Sequence, residues 1–522
     1  MKRKIAVLLA AVMTVSVISG CGGKKNNEKS TITLTESGYP ISNEKIVLEA
    51  MGEKNSIQGE WNNLEFFKKM EEITNIHFNF QTPTGESYKE VKNLTFAGDD
   101  LPDVFIGGGF TENEEVSYGH QKLLIPLEDL IDKYAPNIKK MLKERPDIRK
   151  AITTPDGHIY ALPMISDVRY AQPSYVAWFN GEWLENLGVS EVPDTIDGLY
   201  DLLVRFKNED PNRNGIADEI PMSSAALFGI RDIILTGFGF LNRGIEVHDD
   251  KVIFTPAEEN YKHYLEWMHK LYQEGLLDKE VFTQTTQQWS SKGHDNLVGL
   301  AYNSGPHLYY DVKNNEYEKY KALPPLTSQY NSKKIYPKSS GVLRGTFAIT
   351  KNNPSPEATI RWVDYMYSDE GCLLAITGGE WKYRDETKKK IDIKFPVGQE
   401  GETYRGGKLT PYCGGALPVW YKSDIYSMLN DDSADYLEKV VADNFEGHMQ
   451  VAFPPIYMEN EEQKELQVML TDINTYVDQM EAKFISGQTS LDKWDEYINE
   501  LKIMNVDRMI EIYQGAYDRN NK

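Results

Sequence analysis

Between Ile46 and Ile106 the spacing of apolar residues alternates between two periods, and this limits the chain to a mixed α/β fold. Ile46–Met51, His77–Gln81 and Asp103–Ile106 read as short strands. Trp61, Leu64, Phe67, Met70 and Ile73 recur at helical spacing, and Tyr88–Phe96 reads as a second helix. Strand, helix, strand, helix, strand requires crossover connections and a mainly parallel sheet. Ligands of such sheets sit beyond the carboxyl ends of strands, so Gly107-Gly108-Gly109 falls in a rim loop, read here as a flexible one.

The pattern continues downstream. Leu124–Ile152 is helical in spacing and highly charged, and Thr154–Pro163 reads as a turn into a strand. Tyr175–Phe179 is another apolar run, and Leu297–Tyr302 and Thr346–Thr350 read as further strands. Glu182–Leu187, Thr195–Phe206 and Glu357–Tyr367 read as helices, and Asn460–Gln514 is almost continuously helical in pattern. One hydrophobic core stops growing at about 250–300 residues, so 522 residues predict at least two domains.

The chain opens with Lys2, Arg3 and Lys4, an apolar run from Ile5 to Ile18, and Ile18-Ser19-Gly20-Cys21. A basic start, an apolar core and small residues before a cut form the pattern of a secretory signal. The run falls short of the roughly 20 apolar residues a spanning helix needs. The terminal cysteine resembles a bacterial lipobox, in which Cys21 is acylated and becomes the new N-terminus. Residues 1–20 are then a signal peptide and residues 21–45, poor in large apolar groups, a flexible tether. Without residues 1–20 the chain carries 54 basic and 79 acidic side chains, a formal −25. That balance argues against nucleic acid, whose phosphates need clustered Lys and Arg. Cys372 and Cys413, the other two cysteines, leave a lone bridge open but make no disulfide scaffold.

Four stretches then occur in a telling order: the lipobox-like end, Gly98-Asp99-Asp100-Leu101-Pro102-Asp103, Asp156-Gly157-His158-Ile159-Tyr160-Ala161-Leu162-Pro163, and an acidic loop at Asp210. Together they resemble family 1 extracellular solute-binding proteins, the lipid-anchored receptors of ABC importers. Arg361–Gly371 and Phe453–Tyr457 also fit, so the resemblance spans most of residues 46–520. It implies a two-lobed periplasmic-binding-protein-like fold (type II), each lobe a mainly parallel sheet flanked by helices. The expected division is about 46–170 with part of 340–420 for the first lobe, and about 171–339 with much of 421–522 for the second. The implied function is capture of an oligosaccharide in the interlobe cleft and delivery to ABC permease subunits, by a monomer anchored on the outer face of the cell membrane. The alternatives are an anchored glycoside hydrolase and a ligand-sensing receptor that feeds no transporter.

The loop Asp210-Pro211-Asn212-Arg213-Asn214-Gly215-Ile216-Ala217-Asp218-Glu219 has the composition of a hard-cation site, which wants several oxygen ligands in a compact loop. Asp210, Asn212 and Asn214 alternate, Gly215 permits a sharp turn, Ile216 offers a carbonyl, and Asp218 and Glu219 close the shell. An EF-hand would need a bidentate Glu at loop position 12, where this chain has Pro221. The competing reading is an Asx-type turn before a strand. The family resemblance implies a structural Ca2+ here.

Motifs of catalysis are missing: no His-Glu-x-x-His, Cys-x-x-Cys or Gly-x-Ser-x-Gly occurs, and the nine histidines are scattered. No enzyme is expected. Sugar rings have apolar C–H faces that pack on flat aromatic rings. Trp61, Trp178, Trp289, Trp381 and Trp420 each sit near an expected loop or element end and are the candidate stacking residues, with core packing the competing reading for each. Trp183, Trp267, Trp362 and Trp494 sit inside helical patterns and are assigned to the core.

Overall fold

The structure, a computed structural model, describes residues 33–98, 100–399, 401–413 and 415–521. The chain first forms β1 (Ile46–Met51), β2 (Ile76–Gln81), β3 (Val104–Ile106) and β4 (Leu162–Ser166). It crosses to a second lobe for β5 (Ala177–Phe179), β6 (Ile220–Ser223) and β7 (Val298–Tyr302), then returns for β8 (Val342–Ile349) and β9 (Trp420–Tyr421). The first sheet runs β9-β4-β8-β3-β1-β2, and the second β5-β7-β6. β1 pairs in parallel with β2 and β3, whereas β8 runs antiparallel between β3 and β4.

Each sheet has its own core. One gathers apolar side chains from Ile41 to Val168 and from Phe347 to Tyr421, with Trp61 and Trp362 among them. The opposite face of that sheet is covered by Tyr88, Phe96, Phe105 and Phe110. The second core runs from Val176 to Tyr336 and from Leu437 to Ala516. The first two crossings pair with one another: Ser166 N–H donates to Gly341 O at 2.8 Å and Ser174 N–H to Pro337 O at 3.0 Å, while Lys338 N–H donates to Gln450 O of the second lobe at 2.8 Å.

Three expectations need correction. The long helical pattern before β4 is three short helices, Glu128–Tyr134, Pro136–Glu144 and Pro146–Ile152. Pro136 and Pro146 start new helices because proline lacks the N–H an interior turn needs. The C-terminal pattern also divides, the first helix (Asn460–Ser486) ending at Gly487, φ 79°. Residues 33–45 are not a free tether: Ile41 is fully buried, and Arg361 donates to Thr35 O at 2.6 Å and Gly38 O at 2.7 Å. A buried guanidinium must be satisfied, and it gathers carbonyls from a segment whose composition offers little apolar surface. Among the described residues no helix is long and apolar enough to cross a membrane.

Candidate functional site: the cleft between two sheets

β1, β3 and β4 end on the side where the chain passes to the second lobe, and β6 and β7 end facing back. Residues after these strand ends therefore line the space between the lobes. On the first lobe the rim loop at Gly107 is pinned rather than flexible. Gly107 N–H donates to Thr346 O at 2.7 Å, Tyr88 Oη to Gly108 O at 2.6 Å, and Lys92 Nζ to Gly109 O at 3.0 Å. Gly107 adopts φ 65°, and a Cβ there would lie 3.1 Å from Ala416 O and 3.3 Å from the Trp61 ring, so a side chain would be strained and crowded.

On the second lobe three rings build an aromatic wall. Tyr175 precedes β5, Phe228 follows β6, and Tyr302 ends β7. Their centroids lie 5.4–5.6 Å apart, each pair edge-to-face. Phe228 is 54 % exposed, unusual for a ring in a well-packed lobe. Gly229 lets the backbone lie against Tyr302, where a Cβ would come within 2.4 Å of the ring. Behind the wall Trp289 stacks on Tyr302 at 6.1 Å and on Tyr309 at 4.5 Å.

Two adjoining recesses share Tyr170 and Tyr426. One, about 410 Å³, is lined by Ser166, Glu402, Tyr412, Cys413 and Tyr421. The other, about 320 Å³, is lined by residues of both lobes: Ile376 and Arg405 from the first, Ser304, His307 and Leu437 from the second. Three buried polar atoms here have no partner: Tyr421 Oη, His307 Nδ1 and Asn430 Nδ2. Burial holds the His307 imidazole below its ordinary pKa, against a smaller opposing pull from Asp431. A larger interlobe groove, about 860 Å³, is lined by Phe110, Leu343, Phe453, Leu470 and Tyr513. None of its lining side chains carries an unpartnered buried polar atom, so the two recesses are the better-built site for a polar ligand.

The tryptophans expected to stack on ligand are elsewhere. Trp61 and Trp178 are 2 % and 1 % exposed, and their indole N–H groups donate to Gln58 Oε1 and to Asn303 O. Trp289, on helix Thr286–His294, is 6 % exposed. All three are core residues: Trp61 and Trp178 are buried with their N–H groups satisfied, whereas Trp289 is held by ring stacking and its Nε1 is left without a partner. Trp381 and Trp420 are half-buried: Trp381 meets Tyr383 edge-to-face at 5.2 Å, and Trp420 donates to Asp167 Oδ2 at 2.5 Å. None of the five lines either recess. The wall was missed because tyrosine and phenylalanine at strand ends carry no local sequence signal distinguishing them from core.

The acidic loop lies between helix Ile196–Asn208 and β6. Asp210 accepts from the N–H groups of Asn214 at 3.1 Å and Gly215 at 3.2 Å, and Asn214 Oδ1 accepts from Ile216 N–H at 2.7 Å. The amides of Asn212 and Asn214 donate to Asp218 at 3.0–3.1 Å. Asp210, Arg213 and Gly215 all adopt positive φ, which coils the loop around its own side chains. Among the described residues no three His, Cys, Asp or Glu groups converge as a ready metal cluster. The donor set nevertheless suits a hard cation. Glu219 Oε1 is buried without a partner, and burial, then the charges of Asp218 and Asp210, raise its carboxyl pKa.

Cys21 lies outside the described residues. Cys372 and Cys413 are buried free thiols, each pushed up to about 12 by burial.

Comparison with known proteins follows this geometry. The sequence profile of the bacterial extracellular solute-binding proteins matches residues 53–371. FusA, a fructooligosaccharide ABC transporter substrate-binding protein of Streptococcus pneumoniae, is 28 % identical over 543 aligned residues, covering 99 % of this chain and 98 % of FusA. Lipoprotein LipO of Bacillus subtilis is 23 % identical over 394 aligned residues, covering 72 % of each chain. The solved structure of an EF-hand mutant of S. pneumoniae FusA in complex with fructo-nystose superposes with a TM-score of 0.73 at 26 % identity, covering 91 % of this chain and 99 % of that one.

Proposed function

The chain belongs to the bacterial extracellular solute-binding proteins, and from that premise we propose that it captures an oligosaccharide between its lobes and delivers it to an ABC importer. The reading is carried by two features of the interlobe side, the wall of Tyr175, Phe228 and Tyr302 with Phe228 exposed, and the recesses with unpartnered polar atoms. Aromatic faces take the C–H faces of a sugar, and the polar atoms take its hydroxyls. The fructooligosaccharide named for FusA supports this ligand class. The family is one of binding proteins rather than enzymes, so the sugar leaves the site intact.

The lobe boundaries that account best for two separate cores put the hinge at residues 167–176 and 337–341, which hydrogen-bond to one another, and at the passage from Tyr421 to Leu437. Closure about this hinge would bring the aromatic wall toward the pinned glycine loop. Calcium is the proposed occupant of the 210–219 loop. Asp210, Asn212, Asn214, Asp218 and Glu219 would supply side-chain oxygens and Ile216 its carbonyl, the Asn amides turning from Asp218 to present Oδ1. The words EF-hand mutant in the description of the FusA structure support a calcium role for a loop of this kind in a relative. An acylated Cys21 would hold the protein at the outer face of the membrane, a reading supported by the lipoprotein relative.

The test is a thermal-shift screen of the purified protein against oligosaccharides, followed by calorimetry and recovery of the ligand. A ligand that binds only the native state raises the midpoint. Failure of every sugar to raise it, or release of shortened sugars, would overturn the proposal.

A further inference from the structure

We infer that the recess walled by both lobes, at His307, Asn430 and Asp431, selects a neutral, hydroxyl-bearing sugar ring and rejects uronic acids. The inference rests on the oligosaccharide reading above and sets the charge class of the ligand. Asn430 is 3 % exposed, yet its amide Nδ2 has no partner, and His307 Nδ1 on the opposite lobe has none either. Tyr317 meets the His307 ring edge-to-face at 5.8 Å and fixes its plane. A buried amide and a neutral imidazole together offer donors and an acceptor, the set a hydroxyl uses.

The charge around the recess is one-sided. Arg405 is its lining cation, and its charge is engaged: Nε and Nη2 donate to Ile376 O at 2.9 and 2.6 Å, and Nη1 donates to Glu402 at 2.8 Å. Neighbouring cations are also engaged. Arg384 bonds Asn430 O and Asp392, and Lys390 bonds Asp435. Asp431 faces the same space. Burial alone would raise its pKa, but hydrogen bonds from Ser433 and from the N–H of Ala434 outweigh that and hold it low, so it stays ionised. A carboxylate on an entering sugar would meet this charge, while Arg405, the cation among the lining residues, is paired with Glu402, and Arg169 beside Tyr170 already faces Glu438 and Glu446 at 3.9 and 4.0 Å. A neutral ring would instead satisfy His307 and Asn430 and touch both lobes at once, coupling occupancy to closure.

Calorimetry of the full chain against neutral fructo-, gluco- and galacto-oligosaccharides and against oligogalacturonates tests this directly. A neutral sugar is expected to bind and the uronates to fail. His307→Ala and Asn430→Ala should each weaken the neutral ligand about 10- to 100-fold with little change in melting temperature. Asp431→Asn keeps the helix cap, since Asn caps as well as Asp, and should narrow the gap between neutral and uronate sugars. Uronate binding as tight as neutral binding, or unchanged affinity in both the His307 and Asn430 variants while the wild type binds, would overturn the inference and leave the transport reading standing. Absence of binding by any sugar would overturn both.

Discussion

The Tyr457 hydroxyl donates a 2.6 Å hydrogen bond to Oε2 of Glu115, joining the segment before the long C-terminal helix to helix Glu112–His120 of the first lobe. Glu115 is fully buried, and its other oxygen has no partner. The Arg344 guanidinium lies 4.4 Å over the Tyr457 ring but pairs with Glu112 instead. The Glu115 carboxyl is thus buried beside a hydroxyl, with no cation of its own.

Burial, only partly offset by the Tyr457 bond and reinforced by Glu114, raises the Glu115 pKa from 4.5 to about 8. The neutral acid is the form the folded state prefers. Its contribution to stability is full below about pH 4.5 and is lost as pH rises toward about 8. Glu115→Gln keeps an acceptor for Tyr457 and cannot ionise. The variant should therefore gain on the wild type as pH rises across this window, by an amount on the order of a few kcal/mol at the alkaline end. Parallel melting curves of both proteins at several pH values measure the difference. Parallel pH dependence would show that Glu115 is ionised in the fold.

The aromatic residues divide by what they lean on. Phe228→Ala removes a half-exposed ring from the wall and should weaken sugar binding by about 1–3 kcal/mol while barely moving the melting temperature. Trp178→Ala empties a site in the second core and should cost about 3–5 kcal/mol of stability. Equal effects of the two on stability and on affinity would remove the distinction between wall and core.

The alternation from Ile46 to Ile106 was legible because strand and helix periods differ, and a buried sheet tolerates neither in place of the other. The loop at Asp210 was legible for a similar local reason, since its alternating oxygens and its glycine act within ten residues. The cleft was not. Tyr175, Phe228 and Tyr302 meet only after the second sheet forms, and His307 and Asn430 line one recess only because the chain crosses between lobes several times. Tryptophan frequency near loops was a poor guide, because Trp61 and Trp178 find backbone or side-chain partners for their N–H groups inside the cores. The docking of residues 33–45 was hidden because it depends on one distant arginine, Arg361.

Cys21 is the proposed point of attachment. Cys21→Ala should leave the precursor uncleaved or release protein into the medium, with loss of lipid labelling. Metabolic labelling with a fatty acid, combined with fractionation, reads both. Normal labelling of the variant would place the anchor elsewhere.

The loop from Asp210 to Glu219 makes the last prediction. Without a cation, three carboxylates share a short loop, and burial together with Asp218 and Asp210 raises the Glu219 pKa. A bound calcium would relieve that repulsion and give the unpartnered Glu219 oxygen a ligand. Calcium should therefore raise the melting temperature, by about 2.7 kcal/mol of stability at a hundredfold excess over its dissociation constant. Magnesium should do less, because it demands a smaller, stricter octahedron. Protons compete with calcium for the Glu219 carboxylate, whose pKa burial raises, so calcium affinity should fall toward acid pH. Asp210→Ala should abolish the calcium increment. Differential scanning calorimetry with chelator, calcium and magnesium, together with elemental analysis of the purified protein, measures all of these. If no calcium is recovered and the chelator leaves the melting temperature unchanged, the hydrogen bonds from Asp210 to Asn214 and Gly215 are the whole role of the loop.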